Sequence, residues 1–205
     1  MQPRDIQRRI VAILLFDDVE VLDFAGPFEV FSVTSELQAY KPFLVYTCAE
    51  ETRIITARNG LKVLPDYSIH NAPAPDIIIV PGGIGSKNAR KSSAILEWIT
   101  THAERAEFIM SVCTGARILA AAGLLDGIAA TSHHEALADL QELFPTTLWY
   151  NGEWQDTRFV ESGKIITAGG ISAGIDASIH VVAKLLGRDK ARTTADYMEY
   201  CSALL

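Results

Sequence analysis

The chain has 205 residues, 49% hydrophobic and 21% charged, with a formal net charge of −7. That length suits one domain able to bury its own core, and the composition is that of an ordinary globular protein. The acidic balance argues against a nucleic-acid surface, which needs clustered Lys and Arg, and no window approaches the ~18 apolar residues of a membrane span.

Arg4 to Arg9 form a short basic run, and residues 1–9 read as a flexible tail. Ile10 to Phe16 is a continuous apolar run of the kind buried on both faces of a sheet. Asp17 and Asp18 follow it with no small-residue cleavage site, which predicts a first strand rather than a signal peptide. Asp23 to Ser35 reads as a helix with Pro27 in its first turn and Phe24, Phe28 and Phe31 on one face. Phe43 to Cys48 is a second strand. Ile54 to Thr56 and Leu61 to Leu64 flank Asn59-Gly60, a hairpin signal.

Asp76 to Val80 is a third buried strand, ended by Pro81-Gly82-Gly83. Ser92 or Ser93 caps the next helix, where Ile95 and Ile99 share a face. Phe108 to Val112 is a strand that runs directly into Cys113, and Thr114 to Ala122 is an Ala-rich helix closed by Gly123. Ile128 to Thr131 is a short strand and Glu135 to Leu143 a short helix. Thr147 to Tyr150, Thr157 to Val160 and Lys164 to Ala168 read as late strands, and Ile171 to Leu186 and Lys190 to Tyr200 as closing helices. Such alternation predicts a single-domain α/β fold, a mostly parallel sheet sandwiched by helices. Ligands then gather at the carboxyl ends of the strands, where Asp17 to Gly26, Pro81 to Gly85 and Ser111 to Gly115 all fall.

The three cysteines, Cys48, Cys113 and Cys201, are far apart with no CxxC spacing, so neither disulfide framework nor zinc site is signalled. A reducing cytoplasm suits them. Cys113 sits between a strand and a helix. The helix dipole and its unpaired N–H groups favour thiolate there, so its pKa is expected to fall, and a sharp turn would present the sulfur as a nucleophile elbow does. The same position also fits an inert buried thiol. Cys48 and Cys201 have no helix directly after them and read as structural.

Gly82 and Gly83 let backbone approach a ligand closely. The N–H groups of Gly83 and Thr114 together could form an oxyanion-type hole, although a plain turn explains the glycines equally. Asp23 follows the apolar pair Val21-Leu22, where a carboxyl group can serve as general acid or base, or simply as a helix N-cap. His133 and His134 are candidates for a base beside the thiol, or for a supporting hydrogen bond or cap. His70, His102 and His180 carry no signal. Gly169 to Gly174 is a tight loop that could line the pocket or merely pack closely.

These segments occur together in a known order. Leu22-Asp23-Phe24-Ala25-Gly26-Pro27, Pro81-Gly82-Gly83-Ile84-Gly85, Ser111-Val112-Cys113-Thr114-Gly115, Thr131-Ser132-His133-His134 and Gly169 to Asp176 resemble the motifs of the ThiJ/PfpI family. The resemblance spans residues 10–200, and within the family the chain looks most like isocyanide hydratase and the amidotransferase-like domains of AraC-type regulators. It implies a flavodoxin-like, class I glutamine amidotransferase-like fold and a homodimer. It also implies a nucleophilic Cys113 with Asp23 as partner carboxylate, an oxyanion site at Gly83 and Thr114, and a small-molecule substrate with no metal or organic cofactor. PfpI-type proteases carry His directly after the cysteine, where this chain has Thr114. Glutaminases carry a late His-x-Glu, and here the spacing occurs only at His133-His134-Glu135. The regulators add a DNA-binding domain, and a chain ending at Leu205 is expected not to be a complete regulator. The expected reaction is hydration of an isocyanide. The alternatives are a cysteine-dependent amidase using His133 or His134, and a ligand- or oxidant-sensing domain.

Overall fold

The structure is a computed structural model and describes residues 8–150 and 157–202. The chain opens with β1 (Arg9–Leu15), α1 (Val21–Glu36), β2 (Phe43–Ala49), a hairpin of β3 (Ile55–Thr56) and β4 (Lys62–Val63), and β5 (Tyr67–Ser68). Next come β6 (Ile77–Val80), α2 (Ser86–Ala89), α3 (Ser93–Ala103), β7 (Phe108–Val112) and α4 (Ala116–Ala121). The remainder is β8 (Ala129–Ala130), α5 (Leu137–Leu143), β9 (Leu148–Trp149), β10 (Phe159–Ser162), β11 (Ile165–Ala168), α6 (Ala173–Leu186) and α7 (Arg188–Tyr197). Among the described residues no helix is long and apolar enough to cross a membrane.

Seven strands form one sheet in the order β10-β11-β7-β6-β1-β2-β5, parallel except for the β10–β11 pair. The expected single, mostly parallel α/β sheet is therefore what forms. The central strands β1, β6 and β7 read as unbroken apolar runs because both faces are covered: Val11 to Leu15, Ile77 to Val80 and Phe108 to Val112 are all buried. Helices α1, α6 and α7 pack together as one group, and α2 and α3 both pack on α4 as the other. Right-handed crossovers assign these groups to opposite faces, because β1 leads outward through α1 to β2, whereas β6 lies on its other side. The order thus reverses between β1 and β6, and their carboxyl ends flank the crevice where such sheets bind ligands.

Several local expectations shift. Arg8 and Arg9 belong to the fold rather than to a tail: Arg8 Nε donates to the Phe43 carbonyl at 3.1 Å, and Arg9 begins β1. The rest of the expected tail lies outside the described residues. Helix α1 starts at Val21, two residues earlier than the sequence suggests, so Pro27 stands in its interior and leaves the Asp23 carbonyl without its helical donor. Ser92 is the cap of α3, accepting from the Ile95 N–H at 3.3 Å. The short α2 was not expected. The hairpin forms as read, with Asn59 and Gly60 both at positive φ (62° and 89°).

Candidate active site

In-register pairing brings the chemistry together. Val80 lies opposite Ser111, and Ala168 opposite Val112, so the segments leaving β6, β7 and β11 emerge side by side. The Cys113 N–H donates to the Gly169 carbonyl at 2.9 Å, and Ser132 Oγ donates to the Cys113 carbonyl at 2.8 Å. Between these anchors Cys113 takes φ of 55°, a left-handed conformation costly for a non-glycine residue, and a tight 3-10 turn over Cys113–Gly115 leads into α4. This is the expected sharp elbow. Two glycines permit it. A Cβ on Gly115 would stand 2.0 Å from the Val80 carbonyl oxygen, and one on Gly82 would stand 2.4 Å from the Thr114 nitrogen.

Asp23 is fully buried and is not the helix cap, a position that Glu20 occupies. Its Oδ2 accepts the Gly82 N–H at 2.9 Å, while Oδ1 is buried without a hydrogen bond of ordinary geometry. Asp23 lies near enough to Cys113 for its charge to act on the thiol. Burial pushes the Asp23 carboxyl up to about 7; the charge of Glu20 adds to the rise, and the Gly82 N–H and the Cys113 contact oppose it.

The thiol departs from expectation. Its pKa does not fall: burial, and then the Asp23 charge, push Cys113 up to about 12. The N–H groups of Thr114 and Ile171 pull the other way, but a residue only 7% exposed gains less from them than it loses in desolvation. The oxyanion reading also needs correction. The Gly83 N–H donates to Thr114 Oγ1 at 2.9 Å, and that hydroxyl also bonds to the Gly83 carbonyl and to Ser86 Oγ, so this donor is committed within the protein. The Thr114 N–H faces the sulfur. Ile171, from the Gly169–Gly174 loop expected at most to line the pocket, supplies the second N–H from a residue at φ of 46°.

A cavity of about 430 Å³ opens over the elbow, lined by Glu20, Ile84, Cys113, Thr114, His133 and Ile171 among others. His133 is part of it, whereas His134 stacks on His133, with centroids 4.4 Å apart, and borders a neighbouring cavity. His133 Nδ1 accepts the Glu135 N–H at 3.3 Å, the capping role, which leaves the ring proton of the neutral form on Nε2. Burial lowers the His133 pKa, with His134 adding to the effect. Farther back, buried Arg117 donates to Ser86 Oγ at 3.0 Å and to Asp139 at 2.6 Å. Cys48 is buried in β2 and Cys201 is exposed near the C-terminus, away from the cavity lining.

A cysteine at positive φ on a strand–helix turn at the carboxyl end of a mostly parallel sheet, with a buried carboxyl group beside it, defines an α/β protein with a strand–elbow–helix site. The chain belongs to the DJ-1/PfpI family, whose model matches residues 9–184. It is 33% identical over 196 residues to the isonitrile hydratase of Pseudomonas putida, covering 94% of this chain and 79% of that one. It is 28% identical to the HTH-type transcriptional regulator GbdR of Pseudomonas aeruginosa, covering 97% of this chain but only 52% of the regulator. Among solved structures, a ThiJ/PfpI family protein from Pseudomonas syringae superposes with a TM-score of 0.82 at 28% identity, covering 95% of this chain and 76% of that one. Drosophila melanogaster DJ-1beta shares the fold at a TM-score of 0.81 and 17% identity, covering 95% of this chain and 100% of that one.

Proposed function

We propose that the chain hydrates an isocyanide to an N-substituted formamide through a covalent adduct on Cys113. The observation that carries this reading is the buried pair itself: a thiol on an elbow beside a carboxyl group whose pKa is pushed up to about 7, where one group serves well as both acid and base. Similarity to an isonitrile hydratase over most of both chains supports the choice of substrate.

The raised thiol pKa shapes the chemistry. Ionising Cys113 in advance at neutral pH would cost on the order of 7 kcal/mol. Transfer of the thiol proton to the Asp23 carboxylate avoids much of this, because it also removes the negative charge that opposes the thiolate. Sγ then bonds to the terminal isocyanide carbon while Asp23 returns its proton to that same carbon, giving a thioimidate. Asp23 next takes a proton from water as the water oxygen adds to the thioimidate carbon, and passes that proton to the nitrogen. The C–S bond breaks as the adduct's hydroxyl gives up its proton, which Asp23 passes to the sulfur, and the formamide leaves. The net change is addition of one water to one isocyanide. The Thr114 and Ile171 N–H groups stabilise the sulfur whenever it carries charge. Ile84, Ala136 and Ile171 offer apolar contact to the substrate's side group.

Two observations weigh against the amidase alternative. The Gly83 donor is committed to Thr114, and neutral His133 presents a proton rather than a lone pair at Nε2. The sensing alternative is supported by the regulator similarity, of which this chain spans about half the length. Incubation with a panel of small isocyanides, with formamide followed by chromatography, tests the proposal. Turnover of at least one supports it, and saturable binding without product across the panel would favour the sensing reading instead. The proposal includes a cytoplasmic, reducing location, which three unpaired cysteines fit, and no nucleic-acid partner, which the charge of −7 fits.

A further inference from the structure

Glu20 stands at the wall of the Cys113 cavity, three residues before Asp23, and is not accounted for by the chemistry above. Its side chain is only 17% exposed, and its carboxylate pairs with Arg58 Nη1 at 3.1 Å. Arg58 comes from the β3–β4 turn, which is fastened to the loop after β1. The Arg58 N–H donates to the Val19 carbonyl at 2.9 Å, the Asp18 N–H to the Thr56 carbonyl at 2.8 Å, and Arg53 pairs with Asp17 at 2.7 Å. The Glu20 N–H is itself fixed on the Gly82 carbonyl at 2.9 Å, next to the N–H that holds Asp23. A carboxylate is thus built into the cavity wall and held by a single guanidinium from a separate element.

We infer that Glu20, held by Arg58, is a positioning residue that keeps the transferable proton within the Asp23–Cys113 pair. The physical reason is repulsion. A second carboxylate near a buried acid disfavours loss of its proton, and the Glu20 charge raises both Asp23 and Cys113. Arg58 sets how much of that charge is felt. The other charged or titratable groups around the cavity are Lys87, the Arg117–Asp139 pair, His133 and Glu135. Glu20 is the wall carboxylate whose charge raises both Asp23 and Cys113. The inference deepens the proposed reaction and rests on the same pair of groups.

It can be tested without any isocyanide. In a Cys201→Ser background, which removes the exposed thiol, Cys113 is alkylated with iodoacetamide from about pH 5 to 10 and followed by peptide mass. While Asp23 holds its proton, the rate rises with pH. Once Asp23 ionises, the gain in thiolate is cancelled and the profile flattens, so the break reads the Asp23 proton. The break should lie near 7 in the parent, move down in Glu20→Gln and up in Arg58→Gln, and return in Arg58→Lys. A Glu20→Gln break that superposes on the parent, or moves upward, overturns the inference. If Arg58→Gln fails to fold, the Glu20→Gln and Arg58→Lys profiles still decide the matter. Absence of hydration in the parent would overturn the reaction while leaving these profiles to stand or fall alone.

Discussion

Asp23 makes the consequences of burial measurable. In the unfolded chain its carboxyl titrates near 3.8, and in the fold it keeps its proton to about 7. The folded state therefore holds a proton that the unfolded state releases, so the stability this group contributes at low pH is lost as pH rises from about 4 to about 7. Asp23→Asn cannot ionise and still offers an acceptor to the Gly82 N–H. Thermal melts should show it gaining on the parent through that window, by no more than ~4 kcal/mol above it, with no such gain near pH 4. A constant difference across the pH range would contradict a raised carboxyl. The same variant should be crippled in turnover, because it can neither take nor give the proton.

At this scale the sequence was a partial guide to the site. Cys113, Asp23 and His133 were legible because residue type and position relative to a strand end carry their signal. The Ile171 N–H was not, because a backbone donor has no residue-type signature. The direction of the Cys113 shift was not legible either. A helix start can be read from local sequence, whereas the desolvation that outweighs it comes from elements far away in the chain.

Among the elements, β6 and the β7–α4 elbow meet too closely for a side chain at Gly115. Gly115→Ala would drive a Cβ to 2.0 Å from the Val80 carbonyl oxygen, and the fold should lose more than ~3 kcal/mol in denaturant titrations. Gly60→Ala, at φ of 89° with no heavy atom within 4 Å of the added carbon, should cost only about 1 kcal/mol, the left-handed penalty alone. Near-equal losses would show that contact at the elbow is not what requires glycine. Thr114→Val leaves the Gly83 N–H without its acceptor and should destabilise by roughly 1–3 kcal/mol.

Element boundaries followed the strength of the local pattern. Phe108–Val112 forms as read, because charged Glu107 and the turn at Cys113 bound a purely apolar run. The sequence pattern places the start of α1 late because Val21 and Leu22 look like the end of an apolar segment, yet both belong to the first turn. Helix α2, Ser86–Ala89, is too short to show any period, and it forms where the glycine-rich segment leaves β6. Short β8 and β9 pair with each other outside the main sheet, a pairing that no local signal announces.

For the whole molecule, the order of strands fixes where chemistry can occur. Reversal between β1 and β6 opens the crevice, and parallel register delivers a carboxyl group from one side of it and a thiol from the other. The family resemblance adds the expectation of a homodimer. Sedimentation equilibrium at micromolar concentration should return twice the chain mass, and a monomer throughout would remove that part of the proposal.

The most direct test of the central claim is covalent capture on the full chain. Parent and Cys113→Ala proteins are mixed with a turned-over isocyanide, quenched within milliseconds to seconds in acid, and mapped by peptide mass while formamide is measured in parallel. An adduct of the isocyanide mass on the Cys113 peptide of the parent, with neither adduct nor formamide from the variant, is the predicted result. Undiminished formamide production by folded Cys113→Ala would contradict it.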